Sequence, residues 1–250
     1  MQVAAVIPAR MDSTRYPGKP LCDIRGLPMV EHVYRRCQLS PSVDETYVAT
    51  PDSEIRDATE SFGGEAIDTG VHKRGTDRVA EAAESFDADI IVAVHVDEPL
   101  ITPEMIDEAV SAVQEREDVG VANLGRPIRD EQIHRDPNSI KIVVDESGAA
   151  LYFTRAPIPY LRSTGYGSVP VFHQVCVVPF ERELLRKYTQ LEETPLEAAE
   201  SIDMLRLLEH GHPVHVVETD RETYSIDSPE DHERVSERMA ADDVFVRYDS

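Results

Sequence analysis

The chain has 250 residues, 41% of them hydrophobic, with 25 Lys+Arg against 48 Asp+Glu and a formal net charge of −23. It has enough apolar residues for a sizeable core and no apolar run near the ~18 residues that span a bilayer, and its acidity repels nucleic acid and anionic membranes. Cys22, Cys37 and Cys176 lie far apart and outside any CxxC spacing, which excludes a disulfide scaffold or a zinc ribbon and reads as reduced thiols of a cytoplasmic protein.

Along the chain, Val3 to Ile7 is a short β-branched apolar run closed by Pro8, the pattern of a buried strand. Prolines and a glycine then keep Ile7 to Pro20 out of a helix, as a long loop. Pro28 to Cys37 has helical spacing, Thr46 to Thr50 reads as a strand, and Ser53 to Phe62 as a helix closed by Gly63-Gly64. Glu65 to Asp68 is strand-like, Gly75 to Phe86 helical, and Asp89 to Val94 a continuous apolar run typical of a central parallel strand. Helix starts are marked by a capping hydroxyl followed by proline at Thr102-Pro103, Thr194-Pro195 and Ser228-Pro229. Strand-like runs at Val119–Asn123, Ile140–Val144, Leu151–Phe153, Val171–Val178 and Val214–Val217 lie between them, mostly without long helices. The first half predicts a parallel, doubly wound α/β sheet and the middle third an antiparallel insert or dimerisation arm.

Charge is unevenly spread. Met1 to Leu39 carries six basic residues against three acidic ones, a net +3, so the other residues carry −26. A positive island in an acidic molecule concentrates an anionic ligand. It coincides with the loop after the first strand, which presents Arg10, Ser13, Thr14, Arg15 and Lys19, residue types that suit phosphate oxygens. The loop lacks the GKS or GKT ending of a P-loop, so a merely solvated basic loop is the competing reading. In open α/β sheets ligands sit beyond the carboxyl ends of the strands. His95-Val96-Asp97-Glu98-Pro99 occupies that position after the second apolar strand, where a carboxylate held by the sheet suits Mg2+ and a plain turn suits the sequence equally. Asp227 lies just ahead of the Ser228-Pro229 cap, and with Asp97 it would make a minimal Mg2+ site completed by water and phosphate oxygens.

Together, Ile7 to Lys19, RGTDRVAEA (Arg74 to Ala82), DEPL (Asp97 to Leu100), ALYFTRAPIP (Ala150 to Pro159), TPLEAAESIDMLRLLEHG (Thr194 to Gly211) and IDSPED (Ile226 to Asp231) resemble the 3-deoxy-manno-octulosonate (Kdo) cytidylyltransferase family, within the wider acylneuraminate and spore-coat group. The blocks occur in the family's order over about the whole chain. The resemblance implies a Rossmann-like nucleotidyltransferase fold: one domain over 1–250, with a nucleotide-binding half over about 1–118 and an acceptor-binding, dimerising part over about 119–250. It implies CMP transfer from CTP to a Kdo-like 2-keto-3-deoxy sugar acid with release of pyrophosphate, by a cytoplasmic, Mg2+-dependent homodimer. By the same resemblance Arg10, Ser13, Arg15 and Lys19 take the triphosphate, and Arg74, Gly75 and Thr76 lie near the nucleotide. Asp97 and Asp227 hold Mg2+ and count, with Lys19 and Arg10, as the catalytic set. His95, Arg155, His173 and Glu200 face the acceptor.

Three changes, at four positions, depart from the family pattern. His95-Val96 stands where Gln-Gly is usual, Asp12 where a glycine is common, and Val177 where a tyrosine is usual. Two of the three touch the acceptor side. A nucleotidyltransferase with another sugar or nonulosonic acid acceptor, and a non-catalytic nucleotide-binding homologue, are therefore the alternative readings.

Overall fold

The computed structural model describes residues 1–13, 15–162, 165 and 167–249. Their contacts divide into two units, residues 1–107 together with those from 222 onward, and residues 108–221.

In the first unit, strand β1 (Val3–Pro8) is buried along its whole length. The basic loop follows and ends in one turn of 3-10 helix at Lys19–Leu21. A hairpin of β2 (Asp23–Ile24) and β3 (Leu27–Pro28) comes next, too short to leave a periodic signal in the sequence. Arg25 and Gly26 form its turn with φ of 54° and 95°, the left-handed pair that a two-residue hairpin requires. Then come α1 (Met29–Gln38), β4 (Glu45–Thr50), α2 (Ser53–Ser61), β5 (Glu65–Asp68), α3 (Gly75–Ala82) and β6 (Ile90–Val94). β1 pairs in parallel with both β4 and β6, and β4 with β5, giving the order β6-β1-β4-β5. The β-branched apolar runs that mark β1 and β6 are the two adjacent central strands, so the loops after them emerge side by side. The α3 helix is shorter than its pattern suggests: at Ala83–Ser85 the chain tightens into a 3-10 turn.

Helix α4 (Pro103–Gln114) leads into the second unit, which contains β7 (Ala122–Pro127), α5 (Glu131–Arg135), β8 (Lys141–Val144), β9 (Ala150–Thr154), β10 (Val171–Gln174), β11 (Val177–Glu181), α6 (Arg182–Tyr188), α7 (Pro195–Glu200), α8 (Met204–Glu209) and β12 (His215–Glu218). Its sheet runs β12-β7-β10-β8-β9 and is antiparallel except for the β12–β7 pair. The run Val171–Val178, strand-like in sequence, is two strands. Val177 N donates to Val175 O at 2.8 Å, a three-residue turn that apolar composition does not announce.

The chain returns to the first unit as α9 (Pro229–Met239), started by a capping box: Asp231 N donates to Ser228 Oγ and Ser228 N to Asp231 Oδ2. The tail beyond it docks on α1. Arg36, fully buried, donates to Ile101 O (2.8 Å) and Tyr248 Oη (3.0 Å) and pairs with Asp242 Oδ1 (2.5 Å). His32 Nε2 lies 2.8 Å from Ile24 O and Nδ1 2.9 Å from Tyr248 Oη. A carbonyl only accepts, so Nε2 carries the proton, and the tyrosine hydroxyl donates to Nδ1.

Burial pushes His32 down from 6.5 to about 4, against the backbone hydrogen bond that favours its charged form. Between those values the unfolded chain binds the extra proton, so stability rises with pH there and falls on acidification. His32→Phe should flatten the dependence of the urea midpoint over that window, by on the order of 2 kcal/mol at its acid end. An unaltered slope in the variant contradicts the assignment.

Candidate active site

The site is built where β1 and β6 end. Beyond Pro8, Ala9 N still donates to Ala49 O (2.9 Å), so the loop leaves the sheet at a fixed point. Met11 N is held by Asp52 Oδ2 (2.8 Å), and Gly18 N closes the loop on Met11 O (3.0 Å). Gly18 has φ 72°, which lets the chain turn sharply into Lys19. Lys19 is only 8% exposed. Its ammonium lies 3.1 Å from Asp97 Oδ2, 3.3 Å from Asp227 Oδ1 and 2.8 Å from Ile226 O. Arg15 Nη2 adds a 3.0 Å contact to the same oxygen of Asp227. The two aspartates, 130 positions apart in sequence, therefore meet at one cation, and Ile226 N to Asp97 O (2.9 Å) joins their loops directly.

These charges tune one another. Burial lowers the affinity of Lys19 for its proton, but Asp97 and Asp227 outweigh it and leave the pKa raised. Burial alone would raise Asp97; the charges of Lys19 and then His95 hold it below the ordinary carboxylate range. Glu98, next to Asp97, is buried and accepts from Thr223 Oγ1 (2.9 Å).

Around this pair is a cleft of about 330 Å³, within the first unit. Arg10, Ser13, Arg15, Lys19, Arg74 and Gly75 line it, as do His95, Asp97 and Asp227. Of the nucleotide-side residues expected from the sequence, Thr76 is buried in the first turn of α3 and is not in the lining, and Thr14 lies outside the described residues. A Cβ at Gly75 would stand 3.5 Å from His95 Nε2 and 3.6 Å from Pro8 Cγ, ordinary van der Waals contact at the cleft wall. Six cationic side chains face three carboxylates in this lining, a local excess of positive charge in a molecule of net −23.

The sixth cation is Arg78, which the sequence reading passed over although it lies in the RGTDRVAEA block. Arg78 is 3% exposed, its Nε has no hydrogen-bond partner, and among the described residues no carboxylate lies within ion-pair distance. Burial and then the charge of Arg10 lower its pKa. Its position three residues into a helix that starts at the cleft was the available signal. A buried guanidinium without a protein anion is suited to a ligand anion.

On the acceptor side the sequence-derived set separates. His95 belongs to the first unit and lines the cleft, whereas Arg155, His173 and Glu200 belong to the second. There the three form one network. Arg155 Nε donates to Glu200 O (2.9 Å) and Nη1 to Pro137 O (3.2 Å), while the Glu200 carboxylate accepts from Thr154 Oγ1 and Arg155 N. Lys141, fully buried, donates to the carbonyls of Asp136, Ser139 and Arg155, and Ser139 Oγ is 2.6 Å from His173 Nδ1. Burial, helped by Arg126 and Lys141, brings His173 down to about 4, so it is neutral at physiological pH.

A profile of the cytidylyltransferase family matches residues 4–222. This chain belongs to the cytidylyltransferase family. It is 41% identical over 247 residues to a 3-deoxy-manno-octulosonate cytidylyltransferase of Syntrophotalea carbinolica, covering 96% of this chain and 99% of the relative, and 43% identical over 249 residues to one from Geotalea uraniireducens with the same coverage. Among solved structures, a CMP:2-keto-3-deoxy-manno-octonic acid synthetase complexed with CTP superposes with a TM-score of 0.90 at 37% identity, over 96% of this chain and 99% of that one. A cytidylyltransferase from Leptospira borgpetersenii, 18% identical with a TM-score of 0.64 over 96% and 87% of the two chains, shares the fold. The enzyme is thus a nucleotidyltransferase of Rossmann-like α/β architecture, and its cleft is read in those terms.

Two carboxylates gathered by one ammonium offer hard oxygen donors of the kind Mg2+ prefers. Among the described residues no group of three or more His, Cys, Asp or Glu side chains is placed to hold a metal, and these two carboxylates would supply the protein's ligands. That fits an ion that keeps water and phosphate oxygens for its remaining positions.

If Arg78 is an anion ligand, Arg78→Met should weaken binding of inorganic tripolyphosphate roughly ten-fold or more, as expected for charge-assisted hydrogen bonds. Calorimetric titration reads the affinity. The thermal midpoint should hold, because Nε has no protein partner to lose.

Proposed function

We propose that this enzyme transfers CMP from CTP to Kdo, releasing pyrophosphate, with Mg2+ held by Asp97 and Asp227. The observation that carries the reading is the meeting of Lys19, Asp97 and Asp227 at the mouth of β1 and β6, inside a cleft of net positive charge. Phosphoryl transfer of this kind is mainly positioning and neutralisation of charge on the phosphate oxygens. Arg10, Arg15, Lys19 and Arg78 would neutralise the triphosphate and stabilise the departing pyrophosphate, with Ser13 donating a hydrogen bond. Arg74 and Gly75 would border the nucleotide, with Thr76 behind them. Mg2+, when bound, supplies Lewis-acid charge to phosphate and acceptor oxygens.

On the acceptor, Arg155 is the partner for the sugar acid's carboxylate. His173, neutral and fixed by Ser139, and Glu200 would hydrogen-bond its hydroxyls. Arg155 already gives Nε and Nη1 to backbone carbonyls, which holds the guanidinium plane in place. His95 and Val177, departures from the usual residues, fall on this side, so a different sugar or nonulosonic acid is the second reading. Retention of Lys19, Asp97 and Asp227 disfavours a non-catalytic homologue.

Pyrophosphate release from CTP, assayed with Kdo, its 8-amino analogue and neuraminic-type acids in turn, separates these. Highest kcat/KM with Kdo is expected; release with another acid alone transfers the reading to that acceptor. Asp97→Asn and Asp227→Asn should each lower kcat by at least about a hundred-fold, the scale on which removal of a charged catalytic group acts, while CTP binding largely survives. Full turnover in either variant removes the metal assignment.

A cytoplasmic homodimer is part of the same proposal. Cys22, Cys37 and Cys176 form no disulfide, no helix among the described residues is long and apolar enough to cross a membrane, and the second unit exposes Leu151, Tyr160 and Val169. Sedimentation should give a species of twice 28.0 kDa, and a single species of 28.0 kDa overturns it.

A further inference from the structure

Two separate cross-links join the loop Arg15–Lys19 to the segment Ile226–His232. The first is made of the site itself, with Arg15 and Lys19 on Asp227 Oδ1 at 3.0 and 3.3 Å. Its atoms are those that a triphosphate and a cation would claim, so it is weakened whenever the site is filled. The second involves none of them. Tyr16 Oη lies 3.1 Å from His232 Nδ1, and His232 Nε2 lies 2.8 Å from Asp23 O. Since Nε2 must donate to the carbonyl, Nδ1 is the acceptor and the tyrosine hydroxyl donates to it. The rings sit 6.0 Å apart between centroids, tilted by 38°.

Both partners are coupled to the groups that matter. Lys19 N donates to Tyr16 O at 3.2 Å, closing the turn through Pro17 and Gly18, so displacement of Tyr16 displaces Lys19. His232 N donates to Ser228 O at 3.1 Å in the capped first turn of α9, and Asp231 Oδ2 also accepts from Asp227 N (3.1 Å). Movement of His232 is therefore movement of the segment carrying Asp227.

We propose that Tyr16 and His232 form a clasp that keeps the phosphate loop and the Asp227 segment in register when ligands displace the direct ion pairs, acting as positioning residues for Lys19. The inference rests on CTP being the ligand of the cleft, as proposed above. It predicts that the clasp acts on nucleotide affinity rather than on chemistry, because neither side chain touches the cleft.

The test compares Tyr16→Phe, His232→Leu, the double variant and His232→Gln with the wild type. CTP affinity is measured by calorimetry, KM and kcat by pyrophosphate release, and the thermal midpoint in parallel. Each single variant should raise Kd and KM for CTP roughly three- to ten-fold, the worth of one hydrogen bond, with kcat within about two-fold of wild type. The double variant should lose less than the sum of the two single losses, since both remove the same link and only His232→Leu also removes the bond to Asp23 O. His232→Gln, whose amide oxygen can accept from Tyr16 and whose NH2 can donate to Asp23 O, should recover most of the affinity. Unchanged CTP affinity in Tyr16→Phe, additive losses in the double variant, or losses that follow the thermal midpoint overturn the clasp. Absence of CTP binding in the wild type overturns the nucleotide reading, and the clasp with it.

Discussion

The site depends on one buried ammonium. Lys19 is removed from water almost completely, which costs several kcal/mol unless opposite charge replaces the lost hydration. Asp97 and Asp227 supply that charge, the carbonyl of Ile226 accepts another of its hydrogens, and the resulting excess of one negative charge is met by Arg15 at Asp227. Because each partner arrives from a different part of the chain, the electrostatic requirement is also a folding constraint. The end of β1, the end of β6 and the entry to α9 must come together, or a charge is stranded. The same arrangement prepares for ligands. Arg15 and Lys19 are partnered by carboxylates whose oxygens would suit a divalent ion, so an anion and a metal would replace existing ion pairs there.

The acidity of the molecule and the basicity of its cleft are compatible because of distance. At physiological ionic strength charges are screened beyond about 8 Å, so a ligand inside the cleft feels chiefly its lining, where six cations face three carboxylates. The acidic exterior contributes little there. Arg78 is a lining cation with no carboxylate in ion-pair range, its charge favoured only at longer range by Asp52 and Glu81, so its guanidinium is open to a phosphate. Carboxylates that neutralise Lys19 at rest limit how tightly that side chain can hold a phosphate; an unneutralised arginine has no such competitor.

Hydrophobic runs and punctuation made much of this architecture readable. β1 and β6 are uninterrupted β-branched segments buried on both faces, and the prolines after Thr102, Thr194 and Ser228 mark helices that begin where they indicate. Arg15, Lys19 and Asp97 could be named because sheet geometry puts loop residues at the carboxyl edge, and Asp227 because it lies ahead of the Ser228-Pro229 cap. Other features have no local pattern. The break after Gln174 lies in a run that reads as one strand, and β2 and β3 are two residues each. Tyr16 and His232 are 216 positions apart, as are His32 and Tyr248. Such pairs belong to tertiary structure alone, since either residue singly reads as an ordinary surface aromatic or a capped-helix polar group.

The acceptor residues obey a different logic from the phosphate residues. Arg155, His173 and Glu200 are not aligned by mutual charge; they are fixed through backbone carbonyls and the hydroxyls of Ser139 and Thr154, around a lysine whose three donors all go to main chain. Lys141 therefore locks the backbone at Asp136, Ser139 and Arg155, and the functional side chains inherit their positions from it. A scaffold of this kind tolerates a change of side chain at a neighbouring position, because its hydrogen bonds run through peptide groups that every residue possesses. The ion cluster at Lys19 has no such tolerance, since loss of one carboxylate leaves a buried cation underbalanced. Departures from the family pattern at His95, Val96, Asp12 and Val177 leave Lys19, Asp97 and Asp227 unaltered; Asp12 lines the same cleft, so the changes are not confined to the proposed acceptor side.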